Sequence, residues 1–436
     1  MTNANINPMG TGTPSPAQVR GMRSAILAQS FGSLAQLAFA YGQVLVYLRI
    51  LNIDSSRIVL YLAIPFSTEL LTIPIAYWSD RLGKKIFGVT GLVLATVGFS
   101  TMTLAGLVHP TLVEPLAVLG IAIYSLGSTT MAASWYALLT PVIPMSMHGR
   151  FFAKLRMVWQ VSGIGFAIVG GMVLGKDAPL YVYQCVLLAI CAGQIIRIYF
   201  YIRIPEMERP SVKPRPLFEL LREAMRVPGY LPYCAYVFLL TFFVSSCPTM
   251  FALVQKDVLA LGDNQVVWLG GLTMVGSALG FSLIGRVIDR LGSKPIFIFC
   301  HLGYGAVILL FITRALWPVP VAGVLGVVSL TFGFIAACSS VALTTSLIAI
   351  IPGQNNRAVN QAVGRMFQMV GPGLCGFACA WVLKSGMLMP EWRMGSLIMS
   401  RYDTILLGFA FMIIMLVITL GLVPDAEKRR RAGGVR

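Results

Sequence analysis

The sequence predicts an all-α membrane protein of twelve transmembrane helices, arranged as two related halves of six. Three observations predict it. Of the 436 residues, 57% are hydrophobic and 11% charged, with a mean hydropathy of +0.80, whereas soluble domains carry roughly 25% charged residues. The apolar residues come in windows of about 20, the length that crosses a bilayer core as helix. Short segments of the first half also recur in the second at a nearly constant offset.

Hydropathy windows place six spans near residues 24 to 48, 57 to 79, 86 to 107, 116 to 139, 154 to 174 and 180 to 203. Six more follow near 229 to 253, 264 to 288, 295 to 315, 320 to 350, 358 to 383 and 404 to 423. Residues 1 to 23, rich in Asn, Pro, Gly and Thr, read as a flexible cytoplasmic tail. Arg20 and Arg23 ahead of an apolar run containing Ala38-Phe39-Ala40 imitate a cleaved signal. That run is too long, continuing to Tyr47, and is read as the first span. Between the halves, residues 204 to 228 form a linker in which Pro205, Pro210, Pro214 and Pro216 precede an amphipathic Phe218 to Arg226 suited to the membrane surface. Residues 424 to 436 form a basic tail.

The net charge of +17 does not point to nucleic acid, because the basic residues are scattered through short loops instead of forming one aromatic-laced patch. Their distribution reports topology. With the N-terminus inside, inner loops and tails hold 23 of the 33 Lys and Arg and outer loops hold 8. Arg197 and Arg365 fall within spans. By the positive-inside rule both termini face the cytoplasm of a cell, or inner, membrane. The eight cysteines lie in apolar stretches without disulfide or zinc spacing, and His109, His148 and His301 are isolated. No Gly-x-x-x-x-Gly-Lys-Ser/Thr loop occurs. The expectation is a non-enzymatic chain without metal or cofactor.

The loop after the second span reads Asp80-Arg81-Leu82-Gly83-Lys84-Lys85, and the loop after the eighth reads Asp289-Arg290-Leu291-Gly292-Ser293-Lys294. Ile143-Pro144 and Gln160 through Gly163 likewise mirror Ile351-Pro352 and Gln368 through Gly371. A carboxylate ending a helix needs nearby cations or another helix N-terminus, and Arg81, Lys84 and Lys85 are within reach of Asp80. Gly83 permits the reversal into the third span. Lys84 and Lys85 serve equally well as topological anchors, but a lone acid adds nothing to charge bias.

These two loops resemble the signature of the major facilitator superfamily, Gly-x-x-x-Asp-Arg-x-Gly-Arg-Lys, which occurs between spans two and three and more weakly between eight and nine. The resemblance implies two six-helix halves that rock about a central solute site. It also implies a conformational latch built from Asp80, Arg81, Gly83, Lys84, Asp289, Arg290, Gly292 and Lys294. There are departures. Ala76 replaces the opening glycine and Ser293 an arginine. Ile123 stands four residues before Gly127, where many proton-driven members have arginine, and the fifth span lacks the proline of drug antiporters between Gly163 and Gly175.

Buried polar residues are costly in a bilayer, so each is a functional candidate. Gln29, Gln36 and Gln43 recur every seventh residue on one face of the first span, with Gln36 near its middle. Hydrogen bonding between helices is the structural alternative. Glu69 is the one acid near the centre of a span. It could exchange a proton with a water-filled cavity, pair with a cation, or be satisfied by a neighbouring hydroxyl. Tyr124, Gln160, Tyr236 and Gln368 are further candidates on spans the family places around its cavity. Gln160 and Gln368 are equivalent in the repeat. Arg156 and Arg365 would gate or snorkel. The expected function is secondary transport of a small, neutral, polar solute such as a sugar or nucleoside, with Glu69 as solute and proton-coupling group. Efflux of apolar or cationic compounds, and a receptor or assembly role on the same scaffold, are the alternatives. Solute, membrane lipid and proton are the expected partners.

Overall fold

The computed structural model describes residues 14 to 144, 147 to 175, 178 to 207, 217 to 350 and 357 to 422. The basic C-terminal tail and the first thirteen residues of the N-terminal one lie outside these, as do Ile351-Pro352 of the repeat. Among the described residues, eleven helices are long and apolar enough to cross a membrane: Ser55–Leu82, Lys84–Leu107, Pro110–Leu139, Lys154–Leu174, Leu180–Ile202, Tyr230–Val258, Asp263–Gly285, Ser293–Ile312, Val321–Leu347, Val363–Ser385 and Arg401–Leu420. The twelfth, first in chain order, is a bent pair, Pro16–Ala40 and Gln43–Ile50, with 58° between its parts. Below, spans are numbered one to twelve in chain order.

The first span starts at Pro16, ahead of the residue 24 that hydropathy marks. Ser15 and Gln18 form a capping box and Pro16 occupies the first helical position, so the local sequence starts a helix that its polar Arg20 and Arg23 hide from a hydropathy window. The bend falls at Gly42, whose φ of 86° is left-handed and ends the first segment without side-chain strain. The seventh span crosses as one segment but changes helix type along it: its first helix ends at Ser245, Cys247–Leu253 follows with Pro248 in its first turn, and Val254–Val258 is a π turn. A break at Gly or Pro is tolerated where neighbouring helices line the freed backbone.

Within the first half, spans three and four make the most extensive contact. Gly91 and Gly98 of one face Gly127 and Gly120 of the other, so backbones touch directly, and a Cβ on Gly91 would lie 2.5 Å from the Met131 nitrogen. Such small-residue seams let dispersion act between main chains in a solvent that supplies no hydrophobic drive. In the second half spans eight and ten meet similarly, through Gly276, Gly280 and Gly333. Two seams join the halves, span two on span eleven and span five on span eight. Gly373 and Gly376 lie against Ser67 and Ala63 in the former, and Gly171 against Trp268 in the latter.

Between spans eleven and twelve a hairpin stands where the sequence reading has only a loop. Glu391–Met394 pairs antiparallel with Leu397–Ser400, and Gly395 supplies the positive φ of 64° that a two-residue turn needs at its first central position. Ser400 then caps span twelve through Asp403, which also receives two hydrogen bonds from the buried Arg314, at 2.7 and 3.2 Å. Glu206 and Leu217–Met225 fall in the expected linker, and the latter is a short helix with Phe218 exposed.

Candidate functional site

Six spans separate the two Asp-Arg-x-Gly loops, which puts both at the same face of the bundle. Gly83 ends span two and opens span three at φ 116° and ψ 124°; Gly292 does the same between spans eight and nine at φ 78° and ψ 175°. Both are conformations that side chains avoid, as expected for Gly83 from the sequence. Asp80 is half exposed and approaches Lys84 Nζ at 3.9 Å. Arg81 turns back along its own helix, bonding the Tyr77 hydroxyl and covering its ring at 4.2 Å. The acid that meets the span-three N-terminus is Glu206, which accepts from the Lys84 backbone N–H at 2.7 Å and that of Lys85 at 3.4 Å. A carboxylate there satisfies free N–H groups and complements the helix dipole. Arg290 is exposed and Lys294 half-buried, while the Asp289 side chain lies outside the described residues.

Halfway along span two the helix tightens into a 3₁₀ turn, Glu69–Leu71, four residues beyond Pro65. Glu69 accepts from Thr72 Oγ1 at 2.9 Å and lies 3.6 Å from Arg365 Nη2 of span eleven. The acid is mostly buried and the arginine about one-third exposed. Of the alternatives the sequence left open for Glu69, the structure has both a cation and a hydroxyl in place. The pair bridges the seam between halves. Thr68 meets Thr129 of span four at 3.0 Å one residue away. Gln368 is half-buried one turn beyond Arg365.

The other seam holds Gln160 and Gln43. Gln160 is 4% exposed, and among the described residues neither of its amide atoms has a hydrogen-bond partner. One turn on, Gly163 lies against Leu37 of span one and Met274 of span eight. Gln43, just past the bend, is buried against Gly170 of span five with an unpartnered carbonyl oxygen. Gln36 is exposed, one turn before Ala40. Ala40 and Tyr41 line a cavity closed from the second half by Phe251, Gln255, Thr273 and Ser329. The Tyr41 carbonyl packs on Gly270, where a Cβ would come within 2.5 Å.

Three predicted residues are not brought to either place by a contact among the described residues: Gln36, exposed on span one, Tyr124 and Tyr236. Tyr124 is buried inside the first half, its ring stacked 4.8 Å from Phe39. Tyr236 is buried inside the second and bonds His301 Nε2 at 2.8 Å.

At the face opposite the motif loops the halves are tied by polar contacts that the sequence reading missed. Asp257, in the π turn of span seven, accepts from Ser55 at 2.7 Å and from Tyr402 at 2.6 Å. Arg49 Nη2 lies 2.8 Å from its other oxygen, close but not aligned as a hydrogen bond. Asp263 receives the Tyr183 hydroxyl from the first half and pairs with Lys256, and the Asn264 N–H donates to the Gly175 carbonyl at 3.1 Å. Both acids sit at span ends, where carboxylates are ordinary, and only their pairing across halves marks them.

Known proteins agree with this architecture. Several solved structures superpose over nearly the whole chain. The inward-open xylose transporter XylE of E. coli gives a TM-score of 0.70 at 14% identity, covering 93% of this chain and 96% of that one. A POT family transporter in complex with 5-aminolevulinic acid gives 0.71 at 10%, covering 93% and 96%, and a variant of the nucleoside transporter NupG gives 0.66 at 14%, covering 94% and 100%. At these identities the likeness is one of fold. In sequence, the chain is 32% identical to the multidrug resistance protein MdtH of Cronobacter sakazakii over 117 residues, 26% of this chain and 27% of that protein. The match thus spans about a quarter of the curated relative's length. The sequence model of the Major Facilitator Superfamily matches residues 24–376, and with twelve spans in the arrangement of its solved members, the chain belongs to that family.

Proposed function

We propose that this protein carries a small, uncharged, hydrogen-bonding solute across the cell membrane by alternating access, with proton exchange at Glu69 as the coupling step. The observation that carries the reading is the Glu69 and Arg365 pair, an acid at the middle of span two meeting a base near the start of span eleven, in the other half. Protonation of Glu69 removes its attraction for Arg365 and loosens the span two to span eleven seam. Deprotonation restores it. A polar pair that changes partners between states biases a two-state element, which is what coupling requires.

The solute class rests on the other seam. Gln160 and Gln43 present unpartnered amide atoms, and Gln255, Thr273 and Ser329 line the cavity beside Gln43. These groups donate and accept without net charge and suit a polyhydroxylated solute. The solved neighbours named for xylose and for nucleosides carry solutes of that kind. Gln36 and Gln368 extend the polar surface along spans one and eleven. The excess of Lys and Arg on the motif side supports a cytoplasmic position for that face and both termini, with the Asp257 and Asp263 contacts then closing the outer side.

The test is flux in proteoliposomes with an imposed pH gradient, over a panel of sugars, nucleosides and apolar cations. The expected result is gradient-driven accumulation of a neutral polar solute, abolished in Glu69→Gln while solute exchange at equilibrium persists. Unchanged accumulation in Glu69→Gln rejects the coupling role. A second reading, efflux of apolar or cationic compounds, is supported by the partial match to multidrug resistance proteins; transport confined to the cations would establish it. No flux from the whole panel by folded protein would favour a receptor or assembly role.

A further inference from the structure

A groove on the flank of the first half, between spans two and four, has the form of a phospholipid site. Its walls are Tyr61, Pro115, Val118, Leu119 and Ala122, and Glu114 stands at its mouth. Leu119 is half exposed, so the groove opens on the surface that meets lipid and away from the cavity described above. Glu114 lies in the second turn of span four and Arg57 in the first turn of span two, which is headgroup depth on the outer side. From Glu114 to Ala122 the helix runs about 12 Å into the bilayer at its regular rise, enough to flank the upper part of one acyl chain.

The mouth carries a defined charge pattern. Arg57 Nη1 pairs with Glu114 Oε2 at 2.6 Å, and the Tyr61 hydroxyl donates to the other carboxylate oxygen. Arg57 is more than half exposed, leaving guanidinium N–H groups free to meet a phosphate. Three residues earlier, Asp54 is exposed, and hydrogen bonds from Ser56 hold its carboxyl below the usual carboxylate range. Cation and carboxylate alternate around the mouth, where Asp54 also feels the charges of Arg401 and Arg49, a pattern unlike the uniform positive charge that suits a purely anionic headgroup. It complements a headgroup that carries a phosphate and an ammonium together.

We infer that the groove between spans two and four holds one zwitterionic phospholipid with a primary ammonium headgroup, its phosphate on Arg57, its ammonium on Glu114 and one acyl chain along Val118 and Leu119. This assignment depends on the twelve-span fold and not on what the protein transports.

Native mass spectrometry of the purified full chain tests it, with phosphatidylethanolamine, phosphatidylcholine and phosphatidylglycerol added in turn at equal concentration. The expected result is one tightly retained ethanolamine lipid per protein. Choline and glycerol headgroups should be retained about tenfold less, the cost of losing a charge-assisted hydrogen bond. Arg57→Ala should reduce ethanolamine lipid retention by a similar factor. Leu119→Trp, which fills the groove and leaves the charges in place, should reduce all three together, and unfolding temperatures confirm that both variants are folded. Equal retention of the three lipids by the native chain, or retention unchanged in Leu119→Trp, would mean annular lipid only and overturn the assignment.

Discussion

Glu69 and Arg365 meet across the seam between spans two and eleven, yet only half of that contact is legible in the sequence. A single acid near mid-span is visible in a hydropathy plot because nothing else there is charged. Its partner is visible too, as an arginine inside span eleven, but its role depends on two spans far apart in the chain being neighbours. Because Arg365 is about one-third exposed, solvent screens the pair. A double-mutant cycle with Glu69→Gln and Arg365→Gln, read from unfolding in detergent, should give a coupling of about 1 kcal/mol. The larger effect should be on gradient-driven flux. Arg197 makes the opposite case. It is buried between spans one, four and six and donates to the Gly32 carbonyl at 3.0 Å and to the Met131 sulfur at 3.4 Å. Gly32 has no space for a Cβ on that side. Gly32→Ala should therefore cost about 1 to 3 kcal/mol by overpacking, measured as a fall in unfolding temperature; no change would mean the arginine can swing clear.

At the scale of elements, the reading by hydropathy located spans well and their interruptions poorly. A window average registers apolar content but not direction, so the 58° bend at Gly42 and the π turn at Val254–Val258 leave no trace in it. The glycines that hold spans three and four together are likewise invisible until the two helices are known to touch. What the repeat did expose is the pair of reversals. Gly83 and Gly292 occupy matching places with positive φ, and Gly83→Ala should cost on the order of 1 to 3 kcal/mol, read as lower thermal stability with flux reduced in parallel. Its position after the sixth span puts Glu206 in the linker, although its carboxylate caps span three. Glu206→Gln should lower stability by about 1 kcal/mol. Equal unfolding temperatures for the variant and the native chain would show that solvent serves the span-three N–H groups as well.

For the whole molecule, the account is of two bundles joined by two seams and tied at one face. The tie runs through Asp257, which is bonded to Ser55 and lies beside Arg49 of the other half, and through Asp263, bonded to Tyr183. Removing its Asp257 arm with Asp257→Ala should favour the state open on that side by on the order of 1 kcal/mol, since Arg49 is more than one-third exposed. The central claim, that the halves rock so that one face opens as the other closes, is tested most directly by distances between spin labels in liposomes. One pair, His109→Cys with Leu316→Cys, spans the halves at the tied face, and another, Arg203→Cys with Arg290→Cys, spans them at the motif face. With Cys185, the one exposed native cysteine, replaced by serine, the first distance should lengthen and the second shorten when Asp257→Ala is introduced. Two distances that stay fixed, or that lengthen together, would contradict the account.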